Sequence, residues 1–244
     1  MIERKLLKRL EKENNVKILF AIESGSRAWG FESKDSDYYI RGVYVQDYLT
    51  INPVEEQISE TYIRYEKEYD ICLWDLKKFL RLMQDSNPSC WEWLSSDIVY
   101  LEHPIRVMLK NIFISDCNKY KLKKHYISMA RQNFNKYINQ CSDKANLKKY
   151  IYILRCIACV IYIDVNKEPP PKNYKDVIDY LPTDVNIFLK KIIELKTESE
   201  SLEGPRNREV ENYIVDICNV EYIEKLYIPF NINQLNSIFK KYSK

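Results

Sequence analysis

The feature that most restricts the fold is a short apolar run that breaks at a glycine and is soon succeeded by an acidic stretch entering a second apolar run. Residues 16–22, VKILFAI, are too continuously hydrophobic for a strand with one wet face, so they read as a buried strand. The strand ends in Glu23-Ser24-Gly25-Ser26, a turn signal, and the chain continues as GSRAWGFESKDSDYYIRGVYV. Glycine lets a backbone approach an anion closely, and the residues after it offer open amides at the positive end of a helix. Gly25 and Ser26 are therefore well placed to hold phosphate. Alone, a Gly-Ser pair is an ordinary turn; the acidic residues beyond it, at 35 and 37, give it weight.

Residues 37–45, DYYIRGVYV, are rich in β-branched and aromatic types and read as a second strand. Alternate side chains of a strand share a face, so Asp37, position 39 and Arg41 point the same way. Two carboxylates at 37 and 39 would clamp a hard divalent ion such as magnesium, which takes oxygen donors from one or two carboxylates and from substrate phosphates. Asp70, between Tyr69 and Ile71 in the strand-like EYDICLW, can meet Asp37 across the strands if both runs join one sheet.

The opening MIERKLLKRLEKENN reads as an amphipathic helix with Leu6, Leu7 and Leu10 on one side, not as a secretion signal. ETYIRYE (60–66) gives a further strand; Asp75 caps a helix carrying Leu76, Phe79, Leu80 and Met83, and Asn87-Pro88 starts another. Beyond residue 104 the signals are helical, at roughly 105–115, 119–140, 144–163, 173–179, 184–198, 206–217 and 232–242. The expected class is α+β, with an N-terminal mixed sheet and flanking helices at 1–103 and then a helical domain at 104–244.

A formal net charge of +3 excludes a globally basic polyanion binder, so any nucleic-acid contact must be local. Seven cysteines without framework spacing point to reduced thiols and a cytoplasmic setting, and Cys156/Cys159 read as core thiols in a helix. No apolar stretch approaches the roughly 20 residues of a membrane span, so no membrane partner is expected.

GSRAWGF…SDY, then Asp70 between apolar neighbours, then WDLKKFLRLM…NPS…EWL, HYISMA and LKKYIYILR together resemble a branch of the polymerase-β-like nucleotidyltransferase superfamily associated with RNA ligases, over roughly residues 20–165. The resemblance implies transfer of a nucleoside monophosphate from a nucleoside triphosphate to an acceptor such as an RNA end. It also implies magnesium, or manganese in its place, as cofactor. Gly25 and Ser26 would grip the phosphates with Arg27 and Trp29 in the same loop, and Asp37, residue 39 and Asp70 would bind metal and carry catalysis.

The sequence departs from that pattern at Tyr39, where an acid is expected. A phenol with a pKa near 10 is neutral at pH 7 and a poor magnesium ligand. Three readings stay open: a nucleotide- or RNA-binding relative without turnover, an enzyme that recruits Asp35 or Glu23, or a change peculiar to this chain. On the helix at 144–163, Lys148, Tyr152 and Arg155 line one stripe beside the apolar face, either as triphosphate contacts with a stacking ring or as a solvated basic edge. Lys119, Lys121, Lys123, Lys124 and His125, continued by Tyr126 and Arg131, form a basic cluster that reads either as a solvated helix face or as a guide for an RNA backbone.

Overall fold

The structure, a computed structural model, describes residues 2–46, 60–66, 68–141, 143–198, 202–220 and 230–243. Helix α1 (Ile2–Asn14) leads into β1 (Val16–Ser24), a five-residue helix α2 (Gly25–Trp29) and β2 (Tyr38–Gln46). Then come β3 (Thr61–Glu66), β4 (Tyr69–Asp75), α3 (Leu76–Gln84), α4 (Pro88–Leu94) and β5 (Val99–Leu101). The remainder is α5 (Pro104–Asp116), α6 (Lys119–Tyr137), β6 (Lys144–Asn146), α7 (Leu147–Asn166), two 3-10 turns at Tyr174–Asp176 and Ile178–Tyr180, α8 (Thr183–Glu198), β7 (Glu203–Pro205), α9 (Arg208–Asn219) and α10 (Ile232–Tyr242).

The fold is α+β, built on a mixed five-stranded sheet in the order β3-β4-β2-β1-β5. Among the described strands only β2 and β4 run parallel, with Tyr39 opposite Asp70 and Arg41 opposite Cys72. One face packs on α1, whose Leu6, Leu7 and Leu10 meet Ile40, Tyr44, Ile71 and Leu73. A register shift between Ile18 and Phe20 turns Phe20 to the other face. There it meets Phe79 edge-on at 5.8 Å, while Trp74 lies 4.0 Å from Trp93. Asp75 and Asn87 cap α3 and α4 by accepting from the amides of Lys77 and Ser89, as their sequence positions suggest.

The described residues group into two compact units. One contains residues up to Ala28, Asp37 to Cys117, and α10; the other contains Trp29 to Ser36 and the helical stretch from Asn118. The sequence puts a boundary near 103, whereas the contacts place α5 and α10 with the sheet. In the helical unit α7 begins at Leu147, later than its periodicity suggests, because Lys144–Asn146 pairs with Glu203–Pro205 in a two-stranded ribbon. The seven cysteines are free thiols, and Cys156 and Cys159 are buried in α7. Among the described residues no helix is long and apolar enough to cross a membrane.

Candidate functional site

The candidate site forms where β1 ends and the parallel strands β2 and β4 begin. Gly25 has φ +65°, a left-handed backbone that a side chain would strain, and it turns β1 into α2. A Cβ at Gly25 would lie 3.0 Å from Cδ2 of Tyr39, so the phenol ring rests directly on the glycine backbone. Tyr39 is half-buried and neighbours Asp70 across the strands. Burial pushes its phenol pKa up, and the carboxylates of Asp37 and then Asp70 push it further. Tyr39 is thus a neutral hydroxyl with an acid on either side, where the resemblance expects an acid.

Arg41, two residues along the same face, donates from Nη1 to Asp70 Oδ1 at 3.0 Å and to the Asp70 carbonyl at 2.8 Å. Its guanidinium also lies 5.3 Å from the Tyr39 ring centre. A cation therefore already serves one carboxylate of the set, a pairing that depends on the β2/β4 register and that spacing along the sequence does not reveal. Asp37 and Asp35 are exposed.

Glu23 does not join this group. It is 1% exposed, accepts from the Tyr39 amide at 2.8 Å through Oε1, and receives the Tyr100 hydroxyl at Oε2. Its backbone is held as well, by the Ile98 carbonyl at 2.9 Å and the Ser96 hydroxyl at 2.8 Å. Burial raises its pKa above the ordinary carboxylate value, opposed by the Tyr100 and Tyr39 hydrogen bonds and by Arg27 and Arg41. Glu23 clasps β1 to β2 and β5, and its oxygens are engaged by the fold. Ser26, offered by the sequence for phosphate, is also buried, at 4% exposure. Arg27 stacks its guanidinium 4.0 Å over the Tyr38 ring.

The segment from Trp29 to Ser36, which joins the glycine turn to Asp37, belongs to the helical unit. The Trp29 ring lies 5.6 Å from Tyr152 and 5.7 Å from Phe31, and the Arg155 guanidinium sits 4.3 Å over it. Arg155 is 3% exposed and donates to the Lys172 carbonyl at 3.2 Å. Arg155 is therefore not part of a solvated edge: it is buried against Trp29, because residues far away in sequence cover α7 on that side too. Lys148, in the first turn of the helix, stays partly exposed. Sequence reasoning missed Lys196, which is fully buried and donates from Nζ to Ser33 Oγ at 3.1 Å and Ser36 Oγ at 3.0 Å. In the basic cluster on α6, Lys123 pairs with Asp164.

Residues 2–224 match the family described as the RNA repair pathway DNA polymerase beta family (RlaP). The chain belongs to that family. It is 38% identical over 207 residues to the uncharacterized protein YcgL of Bacillus subtilis (strain 168), covering 81% of this chain and 76% of that one. A nucleotidyltransferase-like protein from Exiguobacterium sibiricum aligns over 79% of this chain and 73% of its own at 11% identity and a TM-score of 0.30, a likeness too weak to carry an argument. Family membership supports the polymerase-β-like nucleotidyltransferase class inferred from GSRAWGF…SDY and Asp70.

Proposed function

We propose that the chain binds a nucleoside triphosphate at the glycine turn and transfers its nucleoside monophosphate to an acceptor, an RNA end, with one magnesium ion held by Asp37 and Asp70. The observation that carries this reading is the pair of carboxylates flanking Tyr39 at the ends of two parallel strands, beside the left-handed Gly25. Two carboxylates would serve one ion, not the pair of ions that three acids would hold. Tyr39 supplies no bridging carboxylate, and among the described residues no group of three or more His, Cys, Asp or Glu could hold a metal. Manganese takes the same oxygen donors.

When bound, the ion would neutralise triphosphate charge. The rest falls to the chain's own groups. Gly25 would admit a phosphate close to the backbone once the Tyr39 ring swings off it, and Arg41 fixes the orientation of the Asp70 carboxylate. Tyr39 keeps its proton at neutral pH, so it can donate a hydrogen bond but cannot serve as a base. Catalysis of this kind consists mainly of positioning and charge stabilisation, which asks little covalent chemistry of the protein. Seven free thiols suit a reducing, cytoplasmic setting.

The packing of Tyr39 against Gly25 favours one competing reading, a nucleotide-binding relative without turnover. Incubation with a radiolabelled triphosphate, magnesium and RNA separates the two. Label on the RNA that disappears in Asp37→Asn and Asp70→Asn supports the transferase. Label that appears only with Tyr39→Asp supports the inactive relative. No label with either protein, across all four triphosphates, removes the transferase reading.

A further inference from the structure

The helical unit carries a series of rings and cations beyond the groups given to magnesium and phosphate above. Lys136 Nζ lies 4.8 Å from the Tyr137 ring centre, and Lys149 Nζ lies 4.0 Å from the same ring and 5.5 Å from that of Tyr152. Tyr152 in turn meets Trp29. The inner end of the series is locked: Phe31 is 1% exposed and packs 6.3 Å from Tyr152, and buried Arg155 underlies Trp29. The outer members Tyr137, Lys149, Tyr152 and Trp29 are partly exposed. Tyr152 and Trp29, packed on one side by Phe31 and Arg155 and partly exposed on the other, are ordered before any ligand arrives, which lowers the entropic cost of stacking on them.

Charge points the same way. Between Lys136 and Arg155 the sequence carries Lys136, Lys144, Lys148, Lys149 and Arg155 against Asp143 alone. A hydrogen bond from Lys136 and then the charge of Lys149 draw the Tyr137 phenol below its ordinary pKa. A solvated basic edge would send its ammonium groups into water, whereas these sit over π faces. Rings interleaved with cations suit a ligand that has both bases and a phosphate backbone.

We propose that Tyr137, Lys149, Tyr152 and Trp29 form a track for a single-stranded polynucleotide, the strand whose end accepts the nucleotide. The proposal rests on the transferase reading for the identity of that strand but not for its binding. Trp29, at one end of the track, lies three residues beyond Ser26 in the sequence.

Fluorescence anisotropy of the full chain with labelled single strands of about 12 nucleotides, as RNA and as DNA, tests the track. The single strand should bind tighter than its duplex. Tyr137→Ala should weaken it about tenfold, within the range for one lost base stack, while Tyr137→Phe keeps the affinity. Lys149→Ala should flatten the slope of log affinity against log salt by about 0.7. Unchanged affinity in Tyr137→Ala, equal competition by polyglutamate, or no binding by the parent chain would overturn the track. Strand binding that responds to these variants without any transfer sinks only the transferase reading. Transfer to a mononucleotide by a chain that fails the strand test sinks only the track.

Discussion

The sheet end around Tyr39 and the Trp29 cluster of the helical unit both hold charged groups against rings, but they are built differently. At the sheet end the partners are close in register: Arg41 reaches Asp70 from the neighbouring strand, and Tyr39 lies on Gly25. In the helical unit the partners come from distant segments, with Arg155 under Trp29 and bonded to the Lys172 carbonyl, and Lys196 bonded to Ser33 and Ser36. The first arrangement leaves acids near water, where a ligand can use them. The second commits its cations to the fold. A cation is available for chemistry only if the protein has not already satisfied it, and sequence spacing does not distinguish the two cases.

The sharpest way to break this contrast is to remove the buried cations. Arg155→Ala should lower the free energy of unfolding by about 3 kcal/mol, since it strips packing from Trp29 and leaves the Lys172 carbonyl without its donor. The denaturant midpoint measures it. If stability is unchanged while triphosphate affinity collapses, Arg155 is a ligand contact after all and the contrast fails.

Glu23 offers an intermediate effect, because it is an acid at the sheet end that behaves like the buried cations. Glu23→Ala should cost roughly 2 kcal/mol through the lost acceptors of the Tyr39 amide and Tyr100 hydroxyl, whereas Glu23→Gln should be tolerated. The folded pKa of Glu23 is raised, so its contribution is fully present below the unfolded value of about 4.3 and is lost as pH rises through the folded value. The stability of Glu23→Gln relative to the parent should therefore improve as pH rises from about 4 towards neutrality. A flat difference, measured by denaturant unfolding across that range, would show that Glu23 does not titrate as a buried group.

The smallest effect concerns the glycine turn. Gly25→Ala should cost about 1–2 kcal/mol, from the positive φ and from a Cβ pressed against the Tyr39 ring. In a Tyr39→Ala background the same change should cost less, because the ring contact is gone and only the backbone strain remains. Equal costs in both backgrounds would mean that Tyr39 does not bear on Gly25 in solution.

Much of the sheet end was legible in the sequence because it depends on short-range patterns. Strand period 2 puts Asp37, Tyr39 and Arg41 on one face, and the break at Gly25 announces the turn. The brief strands Val99–Leu101 and Lys144–Asn146 were not legible, since three residues carry no periodicity and their pairing partners lie far along the chain. The burial of Arg155 is not legible for a related reason: a charged residue one step off an apolar helix face reads equally as a ligand contact or a solvated edge until a distant segment covers it.

By itself the sequence determined the α+β class, the glycine turn, the acidic pair with Tyr39 between them, and the family, all of which rest on local pattern and motif order. Tertiary structure alone decided which charges remain open. Glu23, Arg155 and Lys196 are absorbed into the fold, while Asp37 stays exposed and Asp70 is shared with Arg41. Burial is a property of what packs over a residue, and that covering comes from segments whose arrival no local pattern encodes.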